Sequence, residues 1–379
     1  MGIIKNKLII LFIIIFSTIS FANDSSFIHP YRTTEEWEKL NDDYIEFNEI
    51  EDLVHEYNPI VKNNWNKYEY GKTNDDISQN YYDSADSLFS MAQSLIQNDT
   101  TKAQGTMMEA QAYGMQMSAE NNLNDSEINR YTYEKAEKEK VLFVKQTYVN
   151  YLYQYLDYEI AKEKTKDGKN SLESANRSFN FGALTKVELL SKEKELLLLE
   201  SAELSAKNNY ENTRKTLLIE LGKDPSKDIQ FEPLKFIEDI DILTINLEND
   251  ILLATNNNFQ LKIYYKKKIN ATTTELVKEQ ENNYNASLQY IYNDIISKYN
   301  TIINQQKIIN AKFSEYNSLL LSFQKEQKEY YDGRLSLRNL EKSLSNLNIS
   351  LFEYMKSKYT LIDNYLSYQA AIQGIAATV

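Results

Sequence analysis

The chain has 379 residues, 42% hydrophobic and 26% charged, with a formal net charge of −13 and no cysteine. Disulfides, thiolate metal centres and lipid attachment through a thiol are therefore excluded, and nucleic acid or an anionic membrane surface would be repelled rather than steered in. Two histidines, no glycine-rich phosphate loop and no metal-ligand spacing leave little from which to build a catalytic site, so the chain reads as a non-enzyme without cofactor or metal.

At the N-terminus, Lys5 and Lys7 precede an apolar run from Leu8 to Phe16, and Ser20-Phe21-Ala22 closes it. This is the pattern of a signal peptide over residues 1–22, with the mature chain starting at Asn23 and an exported location in the cell envelope. The run is far short of the ~20 residues of a membrane span, and no later stretch is apolar enough to form one.

Prolines stand only at 30, 59, 225 and 233, leaving 60–224 and 234–379 open to very long helices. "DLVHEYNPIVK" (Asp52–Lys62) starts the helical pattern, and His55 within it reads as a surface residue. The stretch from Asp83 to Leu123, rich in Ala, Ser, Met and Gln without two-residue alternation, reads as a helical hairpin or a loop, with partial disorder left open. Val141–Lys164 is helical and continues to Phe181. "FNFGALTKVELL" (Phe179–Leu190) then places a glycine before a hydroxyl and an acid spaced as in a capping box. A helix that reverses direction needs a residue tolerating φ > 0, so Gly182, Thr185 and Glu188 read as a hairpin tip. Leu189–Leu221 returns as helix and stops at Leu221-Gly222, before Pro225.

The stretch 223–249 is an interruption. After it, "ILLATNNNFQLK" (Ile251–Lys262) repeats the character of the first start, Leu253 matching Leu53 and Asn258 matching Asn58. Two heptad runs follow, from Leu288 to Phe323 and from Leu337 to Ile372, with Ile291, Ile296, Ile303, Ile308, Leu319 and Leu321 broadening the first. A 3.5-residue period implies left-handed supercoiling against partners, and a broad stripe implies more than one neighbour. Between the runs, "YYDGRLSLRNLE" (Tyr330–Glu341) repeats the tip with Gly333 and Ser336. The expected fold is all-α: long antiparallel coiled-coil helices exceeding 40 residues, in two tandem repeats with little or no β-strand. The divisions are a first repeat over 23–222, a linker over 223–249 and a second repeat over 250–379. From Asn58 to Gly182 is 124 positions, against 75 from Asn258 to Gly333, so the first repeat carries a surplus of 49 around Asp83–Leu123.

Two repeats, each with an Asn-marked start and a glycine tip, G-x-x-[ST]-x-x-[DE]-L at Gly182 and the same with Asn339 in the acid's place at Gly333, the first closed by Leu221-Gly222 and the second by Gln373-Gly374, resemble the TolC family of outer-membrane efflux proteins over about residues 45–375. The resemblance implies a homotrimer whose α-helical tunnel projects into the periplasm and docks a periplasmic adaptor and an inner-membrane transporter. It would put Gly182, Thr185, Glu188 and Leu189, with Gly333, Ser336 and Leu340, at the adaptor-facing end. Family members also carry β-hairpins that build a membrane barrel, and no ~10-residue alternating segment is found here. The family's acidic constriction positions, six and nine residues after the second glycine, are Asn339 and Lys342. An exported coiled-coil scaffold or adhesin-like interaction protein that has lost transport is the alternative.

Overall fold

The computed structural model describes residues 30–70, 74–97, 100–237, 242 and 244–379. The expected signal peptide lies outside them, as does His29. The described residues fall into two compact units, divided between Asn41 and Asp42. The described part of the first holds helix α1 (Thr34–Asn41), started by a reciprocal cap. Thr33 N–H donates to the Glu36 carboxylate at 2.7 Å, and Glu36 N–H returns to Thr33 Oγ1 at 3.3 Å.

The second unit is helical almost throughout. Its helices are α2 (Ile50–Tyr57), α3 (Pro59–Tyr70), α4 (Asn74–Ile96), α5 (Lys102–Asn121), α6 (Ser126–Asn180), α7 (Lys186–Glu220), α8 (Leu247–Asn257), α9 (Phe259–Asn270), α10 (Thr274–Tyr331) and α11 (Leu337–Ala370). The strands among the described residues are two parallel dipeptides, β1 (Tyr44–Ile45) and β2 (Gln230–Phe231). The all-α expectation holds. Helices α6 and α10 run 55 and 58 residues, about 85 Å each at ~1.5 Å per residue. Short turns fold α7 back on α6 and α11 back on α10, and α11 also packs along α6, joining the two hairpins.

The heptad runs supply this packing. On α10, Ile295, Ile302 and Ile309 recur every seventh residue and are buried, with Leu361 and Tyr368 of α11 in the same core. Each such side chain contributes about 1.5–3 kcal/mol by leaving water. Val149 and Leu156 of α6 meet Tyr359 and Ile362 on the other side of α11. Toward the tips the seam opens: Phe313, Leu337 and Leu344, expected inside, remain 46%, 53% and 39% exposed.

The surplus of the first repeat is a helical hairpin, α4–α5. Ala85, Ala92, Ala112 and Ala119 are buried along it, and a Cβ on Gly105 would stand 2.6 Å from Ile96 Cγ1 and 2.9 Å from the Ala92 carbonyl oxygen. Small residues spaced by seven let the two backbones approach without large side chains between them. In the second repeat only residues 271–273 separate α9 from α10.

Each repeat is also closed end to end. Asn58 and Asn258 are buried at the junctions α2–α3 and α8–α9. Asn58 Oδ1 accepts from Ile60 N–H at 3.1 Å, and its amide donates to the Glu220 carbonyl at 3.0 Å and carboxylate at 2.7 Å. Asn258 Oδ1 accepts from Leu261 N–H at 3.0 Å and its amide donates to the Ala376 carbonyl at 3.1 Å. The glycines that end the repeats, Gly222 and Gly374, lie against these junctions with φ of 67° and 121°. Their Cβ positions would fall 2.4 Å from Tyr57 Cβ and 2.7 Å from the Asn257 carbonyl oxygen.

His55 is not a surface residue. Helix α2 lies on α6, which leaves the His55 side chain 10% exposed with Nδ1 2.7 Å from Glu137 Oε1. The other Glu137 oxygen accepts from Trp65 Nε1–H at 2.6 Å. A buried carboxylate needs such partners, and these come from two neighbouring helices.

Candidate functional site: the two hairpin tips

Helix α6 ends at Asn180, and Gly182 takes φ = 72°. Ala183 N–H donates to the Ser178 carbonyl and Gly182 N–H to the Phe179 carbonyl, both at 2.9 Å. This pair of bonds is the Schellman termination, which satisfies the last free carbonyls of a helix. Thr185 then caps α7: its Oγ1 accepts from Glu188 N–H at 3.3 Å, and its N–H donates to the Glu188 carboxylate at 2.8 Å. Two bonds donated to that carboxylate, from the Thr185 N–H and from the Thr185 hydroxyl, each at 2.8 Å, hold the Glu188 carboxyl below its ordinary value. Leu189 turns inward and is buried.

The second tip repeats the geometry. Gly333 has φ = 71°, Gly333 N–H donates to the Tyr330 carbonyl at 2.9 Å and Arg334 N–H to the Glu329 carbonyl at 2.8 Å. Ser336 Oγ accepts from Asn339 N–H at 3.3 Å, without a reciprocal bond from Asn339 to the Ser336 backbone among the described residues. Leu340 is half-buried. Neither tip glycine has a neighbour within 4 Å of where a Cβ would stand, so both turns face open space.

The tips also present apolar side chains that the sequence reading left unassigned. Phe181 and Val187 are 87% and 77% exposed at the first, and Tyr331 is 83% exposed at the second. An aromatic one or two positions before the turning glycine, in "NFG" and "YYDG", was the available signal for Phe181 and Tyr331. The tips share one end of the unit, because Arg338 in the first turn of α11 bonds the Asn170 carbonyl and Ser174 Oγ of α6. Ser174 lies eight residues, about 12 Å, short of Gly182.

No protein-family model and no curated protein sequence matches the chain. Solved structures do. The outer-membrane channel OprN matches with a TM-score of 0.53 at 8% identity, over 89% of this chain and 92% of that one. The CmeC outer membrane channel of Campylobacter jejuni matches with a TM-score of 0.50 at 14% identity, over 90% and 88%. A membrane protein from Pseudomonas aeruginosa gives a TM-score of 0.50 at 10% identity, over 86% and 90%. The fold is that of the TolC-like outer-membrane channels. Within this TolC-like fold the two glycine tips end the α6–α7 and α10–α11 hairpins, and α4–α5 stands in the first repeat between α3 and α6. Among the described residues no helix is long and apolar enough to cross a membrane.

Proposed function

We propose that the chain is one protomer of a TolC-like export channel component of the cell envelope, homotrimeric, docking a periplasmic adaptor and an inner-membrane transporter through its hairpin tips. The observation that carries this reading is the paired tips: two glycine turns of the same bonding pattern, with exposed Phe181, Val187 and Tyr331, on a TolC-like fold. A single spacer would need no second tip. Association with further copies is supported by α7, where Val187, Leu190, Leu197 and Leu204 follow steps of three and seven residues and are 77%, 50%, 66% and 60% exposed. The division into repeats over 23–222 and 250–379, with a linker over 223–249, belongs to the same proposal. Its support is the matched closure of Asn58 with the Gly222 end and Asn258 with the Gly374 end.

Pull-down of a co-expressed periplasmic adaptor with the double variant Gly182→Val/Gly333→Val tests the docking role. Recovery should fall while far-UV helicity is kept; unchanged recovery with intact helicity refutes it. Sedimentation should give a trimer at tens of micromolar, and a monomer would count against the assembly. The second reading, an envelope scaffold that has lost transport, is favoured by the α4–α5 hairpin, which is helical where the resemblance calls for strands. It predicts that tip variants leave binding unchanged.

A further inference from the structure

Toward the tip end, α6, α7 and α11 enclose a cleft of about 380 Å³. Helix α6 turns Lys164 and Asp167 to it, α7 turns Lys192 and Glu195, and α11 turns Arg338 and Lys342. The charges are unequally matched. Lys192 is neutralised by Glu195 at 2.7 Å. Arg338 donates to the Asn170 carbonyl and Ser174 Oγ, which are neutral and leave its charge standing. Lys164 and Lys342 make no ion pair among the described residues. Against these three cations stands Asp167, its carboxyl pushed up by burial and drawn back by Lys342 and Arg338. Glu163, one turn away, adds a second carboxylate charge, since its partner, the Asn348 amide at 3.1 Å, is likewise neutral; three cations still outnumber these two anions. The lining is thus net positive in a chain of net charge −13.

The floor of the cleft is apolar. Gly168 admits Leu199 so closely that a Cβ there would sit 2.7 Å from Leu199 Cδ1, and Ile349 completes the lining. Low-dielectric walls strengthen the field of the cations above them. The guanidinium of Arg338 adds a planar fork of donors suited to oxyanions.

We propose that this cleft binds a small multivalent oxyanion of the phosphate class, held by Lys164, Arg338 and Lys342. Such a ligand would join α6 of the first hairpin to α11 of the second. The proposal rests on side-chain placement and is independent of the channel reading.

Titration calorimetry of the purified protein with inorganic phosphate at pH 8, against chloride at constant ionic strength, tests it. Phosphate should bind and chloride should not. The variant Lys164→Gln/Lys342→Gln should weaken phosphate binding roughly tenfold through loss of two unpaired charges. A charge-matched control, Lys194→Gln/Lys307→Gln, changes two exposed lysines outside the cleft and should leave binding within about twofold. Absence of phosphate-specific heat, or equal weakening by both pairs, overturns the site. Circular dichroism of each variant confirms that helicity is retained.

Discussion

The two ends of the long hairpins reverse or close the chain with one backbone device in contrasting surroundings. At the tips, Gly182 and Gly333 have φ near 70° and open space around them; at the opposite, closing ends Gly222 and Gly374 also have positive φ but are pressed against Tyr57 and Asn257. All positive-φ residues among those described are these four glycines. The comparison separates two demands that sequence inspection merges. A tip glycine is needed for its backbone conformation alone, whereas a closing glycine is needed for conformation and for lack of volume.

That contrast can be broken experimentally, beginning with the largest effect. Gly222→Val should destabilise by about 3–5 kcal/mol, combining the left-handed backbone penalty with a Cβ driven into Tyr57. Denaturant unfolding should show a large loss of midpoint; a loss as small as at a tip would void the distinction. Asn58→Ala should follow at about 2–3 kcal/mol, since it removes the cap of α3 and leaves the Glu220 carbonyl without its donor, while Lys140 still holds the Glu220 carboxylate at 3.2 Å. Gly182→Val should cost only about 1–2 kcal/mol, because strain acts there without a clash. Thr185→Ala should cost about 1 kcal/mol, the usual value of a lost N-cap.

The smallest effect sharpens the comparison between the tips themselves. The Glu188 carboxyl is depressed in the folded state by its bonds from Thr185. Its contribution is therefore complete above the unfolded carboxylate value and is lost as pH falls through the lower folded one. Glu36, Glu51 and Asp224 are depressed as well, so a pH series of thermal unfolding should show a shallower acid slope in Glu188→Gln than in the wild type. At the second tip Asn339 holds the equivalent place and supplies no such titration. Asn339→Glu should create it.

The tips were legible in the sequence because everything that makes them is local. Gly182, Thr185 and Glu188 act on one another across three residues, and so do Ser336 and Asn339. The heptads were legible for the same reason, and Ile295, Ile302 and Ile309 are where the period puts them. The α4–α5 hairpin was harder. Its seam is built from alanine and glycine, whose weak hydrophobic contrast hides the seven-residue step. Long-range pairings were invisible: Asn58 finds Glu220 across 162 positions and His55 finds Glu137 across 82. Matching starts also misled at Leu253, 39% exposed where Leu53 is buried, because α8 buries Ala254 instead. Phe313 and Leu344 sit on the seam yet remain exposed in one chain. A period reports which face is apolar, not which molecule covers it.

The indole of Trp65 has a consequence for spectroscopy. The chain holds two tryptophans; Trp37 is 37% exposed, while Trp65 is 4% exposed with its N–H on the Glu137 carboxylate. Steady-state emission should therefore contain a red component from Trp37 and a blue one from Trp65. Replacing Trp37 by Phe leaves a single tryptophan, which excitation at the red edge of the indole band selects over the tyrosines. Its emission maximum and its accessibility to iodide would then follow the α3–α6 junction alone, a local optical readout of whether the closed end of the first hairpin opens.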